Sequence, residues 1–260
     1  MIHPLRSIQA HSQTWMANHF EKTGYGQKLA GFKDCHKNRR CFLVGNGPSL
    51  RAEDLTLLHE HGEICFAFNR IYNIFDQTQW RPTYYISQDE KMLLGCADIV
   101  NRTEMGTKFI PINLKWYHDI HIDRAAWFLM KAPDEQNGKP EQFSDDLPRC
   151  LYNSSTGMYT AAQVAAYMGI NEIYMIGVDH HFRISQNAQG EIVTDESAKD
   201  YFSDKYNEDK DKLYIPNTEK STWTYVAMKE QCDKRGIRVY NASRQTRLEV
   251  FERVDFESIF

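Results

Sequence analysis

The chain has 260 residues, 42% of them hydrophobic and 25% charged, with 31 basic against 35 acidic side chains and a formal net charge of -4. That length buries the core of one large domain or two small ones. The slight acidic excess, with a pI near 6.2, speaks against nucleic acid as a partner, because such proteins carry basic surfaces. No window approaches the run of roughly 20 apolar residues that a membrane span needs. No apolar segment follows Met1 to Arg6, so a secretory signal is not expected. The cysteines at 35, 41, 65, 96, 150 and 232 form no C-x-x-C pair. They read as buried, reduced thiols of a cytoplasmic protein.

In chain order, Ile8, Trp15, Met16 and Phe20 recur at near-helical spacing, which predicts an amphipathic helical N-terminal extension over 1–39. Its amphipathic side would be buried in the domain or meet a membrane surface or a partner subunit. Lys33 to Arg40 is polar and basic and reads as a solvated loop. From Cys41 the pattern turns to alternating strands and helices. Cys41–Val44, Ile64–Phe68, Thr83–Ser87, Lys108–Pro111, Ala126–Leu129, Glu172–Gly177 and Ile237–Tyr240 are expected strands. Helices are expected after Ser49, over Thr156 to Met168, and over Trp223 to Lys234. Short, continuously apolar strands between helices imply a mostly parallel sheet covered on both faces, an α/β doubly wound fold in one domain over 40–260. Pro133 to Pro148 reads as a loop. So does most of 185–217, where twelve Asp, Glu and Lys side chains stand between Glu191 and Lys212; a loop of that length suggests a lid.

Ligands of open parallel sheets bind outside the carboxyl ends of the strands. That rule selects Gly45-Asn46-Gly47-Pro48-Ser49, Asn69-Arg70, Ser87-Gln88-Asp89, Gly177-Val178-Asp179-His180-His181 and Asn241-Ala242-Ser243, with the helix start Asn153-Ser154-Ser155-Thr156-Gly157 on the same rim. The glycine turn at 45–49 suits a phosphate beside a helix start and equally a tight structural turn. It lacks the lysine of a P-loop, and Leu50 replaces the third glycine of a dinucleotide fingerprint. The run at 153–157 suits N-capping and phosphate binding alike. Asp179, His180 and His181 offer acid/base groups. Adjacent strand side chains face opposite ways, so a histidine metal site is not expected. Mg2+ on Asp89 or Asp179 stays open. No Gly-x-Ser-x-Gly elbow is present, which sets serine-hydrolase chemistry aside.

Phe42 to Leu50, Phe68-Asn69-Arg70, Ser155-Thr156-Gly157 and Tyr174 to Asp179 follow in an order that resembles two related families. One is the bacterial sialyltransferases that use CMP-activated sialic acid on a Rossmann-like, GT-A-variant domain. The other is the family resembling archaeal 6-hydroxymethylpterin diphosphokinase, which includes flagellin-glycosylation factors and proteins of surface-polysaccharide clusters. The similarity runs from about Arg40 to the last strand, and the stretch from Tyr240 to Phe256 looks like the polysaccharide-cluster members. The resemblance implies that Asn46 and Asn69 bind the phosphate and ribose side of a nucleotide, and Gly45, Gly47, Ser49, Ser87, Gln88, Asp89 and Asn153 stand with them as nucleotide-binding candidates of the same rim. It implies that Ser155, Thr156 and Gly157 meet the phosphate or a sugar carboxylate, and that Gly177, Val178 and Asp179 line the base and ribose.

The chain also departs from the sialyltransferase pattern. Ser87-Gln88-Asp89 stands where an asparagine is usual, Asn153 where an arginine is, and His181 where a phosphate-contacting tyrosine is. The general-base histidine position falls at Glu219, and no histidine follows His181. Candidate bases are therefore Glu219, His180, His181 or an acid of the Asp89 loop. The implied activity is an inverting glycosyltransferase of bacterial surface-glycan synthesis. It would take a nucleotide-sugar donor, with a CMP-nonulosonate favoured, and a glycan acceptor, in the cytoplasm or at the inner membrane face, with no cofactor required and homo-oligomerisation open. The alternatives are Mg2+-dependent pyrophosphoryl transfer from ATP to a hydroxymethyl compound, with Asp89 and Asp179 on the metal, and a non-catalytic nucleotide-binding protein.

Overall fold

A computed structural model describes residues 12–187, 189–203 and 214–260. Two helical pieces come first, α1 (12–18) and α2 (Gly24–Ala30). The strands of the main sheet are β1 (Arg40–Val44), β2 (Ile64–Phe68), β3 (Tyr84–Ile86), β4 (Thr107–Pro111) and β5 (Ala126–Phe128). Between them lie α3 (Ala52–Glu60), α4 (Glu90–Arg102) and α5 (Ile112–His118). Short pairs follow, β6 (Met130–Lys131) with β9 (Leu151–Tyr152), and β7 (Glu135–Gln136) with β8 (Lys139–Pro140). The chain then runs through α6 (Gly157–Tyr167), β10 (Glu172–Ile176), the hairpin β11 (Ile184–Gln186) and β12 (Ile192–Thr194), α7 (Thr218–Lys234), β13 (Arg238–Asn241) and β14 (Glu252–Arg253).

Eight strands form one sheet in the order β14-β13-β10-β1-β2-β3-β4-β5, and every pair in it is parallel. Continuous apolar runs are what such strands require, because helices cover both faces. Cys41 to Val44 and Cys65 to Ala67 are accordingly fully buried. The alanines of α6 serve the same end: from Met158 to Ala165 every residue is buried, and small side chains let that helix sit between the sheet and α7. The Rossmann-like α/β reading of the sequence is the architecture found.

Several elements differ from the sequence reading. Helices α4 and α5 were not expected. α4 nevertheless carries a legible signature, with Asp89 accepting from Met92 N–H at 3.0 Å as N-cap and Met92, Leu93, Cys96 and Val100 buried on one face. α7 begins at Thr218, ahead of the expected Trp223, because Asn217 caps it through the Lys220 amide at 2.9 Å. The stretches read as loops contain the small pairs β7/β8 and β11/β12, and β14 adds an edge strand too short and exposed to leave a pattern. Five of the six cysteines are buried, but Cys35 is exposed, since the polar turn after α2 carries it to the surface. Phe20 and Leu29 are fully buried in the main core, so the segment after α1 packs onto the domain, while Trp15 is exposed. Ile8 and the part of the charged stretch over 204–213 lie outside the described residues. Among the described residues no helix is long and apolar enough to cross a membrane.

Candidate functional site

From β1 the chain builds outward through β2 to β5, then returns as β10 on the other flank of β1 and continues to β13. The β1/β10 junction is thus where the winding reverses, the place where a crevice opens beyond the carboxyl ends of an open α/β sheet. A cleft of about 290 Å3 lies there. Its floor is two turns in contact. Gly45 N–H donates to Ile176 O and Gly47 N–H to Gly177 O, each at 2.8 Å. A Cβ at Gly45 would fall 2.3 Å from the Gly177 carbonyl oxygen, and one at Gly47 2.7 Å from it. Gly177 itself holds φ +63°, a conformation cheap only for glycine. The turn at 45–49 therefore serves the close approach of backbone and also lines the cleft.

The side chains around this floor are tied down. Ser49 donates to Asp179 through its amide, at 2.8 Å, and through its hydroxyl. Burial raises the Asp179 pKa, and the Ser49 bonds oppose that rise. Asn46 donates from Nδ2 to Phe68 O at 3.1 Å, which fixes the amide plane. Its Oδ1 is buried and makes no hydrogen bond among the described residues, so it is an acceptor without a donor there. Asn69 adopts φ +52°, accepts from Tyr85 Oη at its carbonyl (2.9 Å) and from Ser87 Oγ at Oδ1 (3.0 Å).

The second wall is the first turn of α6. Thr156 caps it, accepting from Met158 N–H at 3.3 Å, and lies 3.4 Å from the Tyr225 hydroxyl. Gly157 is pressed against the Phe68 ring, 3.0 Å from where a Cβ would stand. The start of this eleven-residue helix brings backbone N–H groups and partial positive charge to the cleft. Gln88 joins this wall to β3: it donates to Asn153 Oδ1 at 2.7 Å and accepts from Thr160 Oγ1 at 2.6 Å.

The third wall comes from the segment after β10. His181 lines the cleft, and its Nε2 lies 2.8 Å from Asp195 Oδ2. A carboxylate only accepts, so Nε2 carries the proton and, in the neutral ring, Nδ1 keeps the lone pair. Hydrogen bonds from Ser197, and then from His181, hold the Asp195 carboxyl below the usual carboxylate range. Arg247 stands 3.6 Å from the same oxygen. Asp200 accepts from the Arg183 amide at 2.6 Å, and Phe202 N–H donates to Asn46 O at 3.1 Å. These bonds draw Asp200 and Tyr201 into the cleft lining, where burial pushes the Tyr201 phenol up to about 12.

The residues selected from sequence thus divide. Gly45, Asn46, Gly47, Asn69, Gln88, Asp89, Ser155, Thr156, Gly157, Gly177, Val178, Asp179 and His181 share the lining. Ser49, Ser87 and Asn153 stand behind it as hydrogen-bond partners of Asp179, Asn69 and Gln88. His180 is buried beside it at φ +53°, with Nε2 2.7 Å from Thr222 Oγ1 and its ring edge-on to Tyr225. Burial lowers its pKa to about 4, so the ring is neutral at pH 7. Glu219 is exposed and lines a neighbouring groove rather than the cleft. Sequence reasoning missed Asp195, Asp200, Tyr201 and Tyr225. The one signal was the aromatic pair Tyr201-Phe202 inside an otherwise charged stretch.

The described lining holds three carboxylates, Asp89, Asp179 and Asp200, one histidine, and no lysine or arginine. Among the described residues no group of three or more His, Cys, Asp or Glu could hold a metal ion. Asp179 is engaged by Ser49 and Asp89 by the α4 amides. The pair suits Mg2+ only together with substrate phosphates, the way that ion is commonly held.

A family model described as 6-hydroxymethylpterin diphosphokinase MptE-like matches residues 13–185, more than half of the chain. No curated protein matches. Among solved structures, that of the MAf glycosyltransferase from Magnetospirillum magneticum AMB-1 superposes with a TM-score of 0.50 at 14% identity, covering 90% of this chain and 38% of that one. The likeness is one of fold, and this chain spans well under half the length of that protein.

Proposed function

The chain belongs to the 6-hydroxymethylpterin diphosphokinase MptE-like family, and from that premise we propose that it is an inverting glycosyltransferase working on a nucleotide-activated sugar in surface-glycan synthesis. The observation that carries this reading is the make-up of the cleft: a glycine floor at the β1/β10 reversal and a helix start, with no basic side chain in the described lining. Backbone N–H groups at a helix start hold one phosphate well. Three nearby carboxylates disfavour a more highly charged group, which supports a nucleoside monophosphate donor of the CMP-sugar type. The unpaired Asn46 Oδ1 asks for a donor and suits a ribose hydroxyl.

In the proposed step His181 Nδ1 takes the proton of an acceptor hydroxyl, and Asp195 steadies the imidazolium that forms. The acceptor oxygen attacks the anomeric carbon. The bond from that carbon to the phosphate oxygen breaks, and the nucleotide leaves with the electron pair, met by the amides of the α6 start. Residues 40–260 act as one domain in this scheme, with the described residues 189–203 of the 185–217 segment as lid. The contacts of Asp195, Asp200 and Phe202 support that role.

A second reading is favoured by one observation, the presence of Asp89 and Asp179 in the same cleft. With Mg2+ on substrate phosphates they would serve pyrophosphoryl transfer from ATP, a chemistry that releases AMP. Titration with CMP, UDP, GDP and ATP, each with and without Mg2+, separates the two. Metal-independent binding of CMP supports sugar transfer. Binding of ATP alone, with Mg2+ and AMP release, supports the second reading, and no binding of any nucleotide rejects both.

A further inference from the structure

We infer that the groove between the β11/β12 hairpin and the first turns of α7 is a carbohydrate subsite that grips the acceptor glycan behind its reacting sugar. The inference rests on the glycosyltransferase reading above. The groove has a volume of about 470 Å3 and is lined by Ser185, Gln186, Asn187, Val193, Thr218, Glu219, Thr222 and Trp223. That is within the range of about 300–1,000 Å3 typical of small-molecule sites.

Its chemistry is that of sugar recognition. A pyranose ring offers a face of C–H groups and a rim of hydroxyls that both donate and accept. The first needs a flat, half-wet apolar surface, and the second needs short polar groups of both kinds. Trp223 supplies the first: the residue is 42% exposed on a helix whose neighbouring positions Ser221, Thr224 and Tyr225 are buried. An indole so placed has an apolar body and a polar edge. The Gln186 amide, the Ser185 hydroxyl and the Glu219 carboxylate supply the second, while the Asn187 amide is spent within the hairpin on Glu191 and the Gln189 N–H. Among the described residues no lysine or arginine lines the groove, so they offer a phosphorylated or polyanionic ligand no counter-charge.

Its position ties it to the donor cleft. Pro216 lines the cleft, and its carbonyl accepts from Gln186 N–H at 2.8 Å, so the two spaces share one rim. Thr222, on the groove side, bonds His180, whose ring packs on Tyr225 of the cleft lining. One layer of side chains therefore separates them. A single sugar cannot fill both, but an oligosaccharide crossing the rim can place its terminal residue in the cleft and the preceding one on Trp223. This also gives Glu219 work away from the reacting atoms.

The test uses the full chain on an array of neutral di- to tetrasaccharides, beside titration with CMP. Trp223→Ala and Gln186→Ala are each compared with wild type, with circular dichroism as the check on folding. The expected result is glycan retention by wild type, reduced at least tenfold by either variant, with CMP affinity changed less than twofold. Equal retention by wild type and both variants, or no retention of any glycan by wild type that does bind CMP, would overturn the subsite alone. Glycan retention without nucleotide binding would keep the subsite and reject the transferase reading.

Discussion

The floor of the cleft and the wall that faces it are built in opposite ways. The floor is backbone against backbone: Gly45 and Gly47 lie so close to Gly177 that a single added carbon has no room. The wall at 181–187 and 189–202 leans on exposed and half-exposed side-chain pairs such as His181–Asp195 and Arg183–Glu196, with single backbone bonds such as Phe202 N–H to Asn46 O between them. Contacts of the first kind are set by steric exclusion and hardly yield. Those of the second kind are each worth little when solvated and open readily. In the proposed function the rigid contacts are those that would hold a phosphate, and the weaker ones those past which donor and product would move.

The largest effect should come from the floor. Gly45→Ala should cost roughly 3 kcal/mol or more, since the clash is with a carbonyl oxygen rather than a flexible side chain. It should lower the midpoint in thermal unfolding and abolish nucleotide binding together. A stable variant that still binds would dissolve the distinction between floor and wall.

His180 marks the boundary between the two. Its folded pKa of about 4 lies below the ordinary 6.5, so the unfolded chain takes up the proton first as pH falls. Stability should be fully present above pH 6.5 and drop by about 3 kcal/mol as pH falls to 4. His180→Asn, which tolerates the positive φ, should flatten that slope in urea unfolding at pH 7.5, 5.5 and 4.5. A wild-type slope no steeper than the variant's would show that the ring is solvated.

On the wall, His181→Ala should reduce turnover by about 100-fold or more and leave the unfolding midpoint unchanged. Asp195→Asn should follow it more weakly, again with no change of midpoint. A loss of stability matching the loss of rate would make the pair structural. The smallest effect is expected at the α6 cap, where Thr156→Ala should cost about 1 kcal/mol and weaken nucleotide binding several-fold, measured by calorimetry.

The same contrast explains what could be read from the sequence. Glycines at 45, 47 and 177 at the ends of apolar runs point to close backbone approach, and the winding rule then brings those runs together. The Thr156 cap and the α6 alanines are equally local signals. The His181–Asp195 pair is not, because thirteen residues separate the partners, and any of several acids between Glu191 and Asp211 could have filled the role. Glu219 shows the limit of counting along a resemblance: its register on α7 is at the helix start, yet the turn set by the Asn217 cap leaves it exposed on the groove. α4 was legible in its cap and its buried stripe, whereas β14 owes its pairing to the neighbouring β13 and leaves no mark in its own two residues.

The nucleotide reading of the cleft is tested most directly by a crystal of the full chain soaked with CMP, UDP, GDP and ATP in turn. The expected result is one nucleoside monophosphate in the β1/β10 cleft, its phosphate within hydrogen-bond distance of the amides at 156–158 and a hydroxyl on Asn46 Oδ1. A nucleotide bound elsewhere, or a cleft that stays empty with all four, would contradict it.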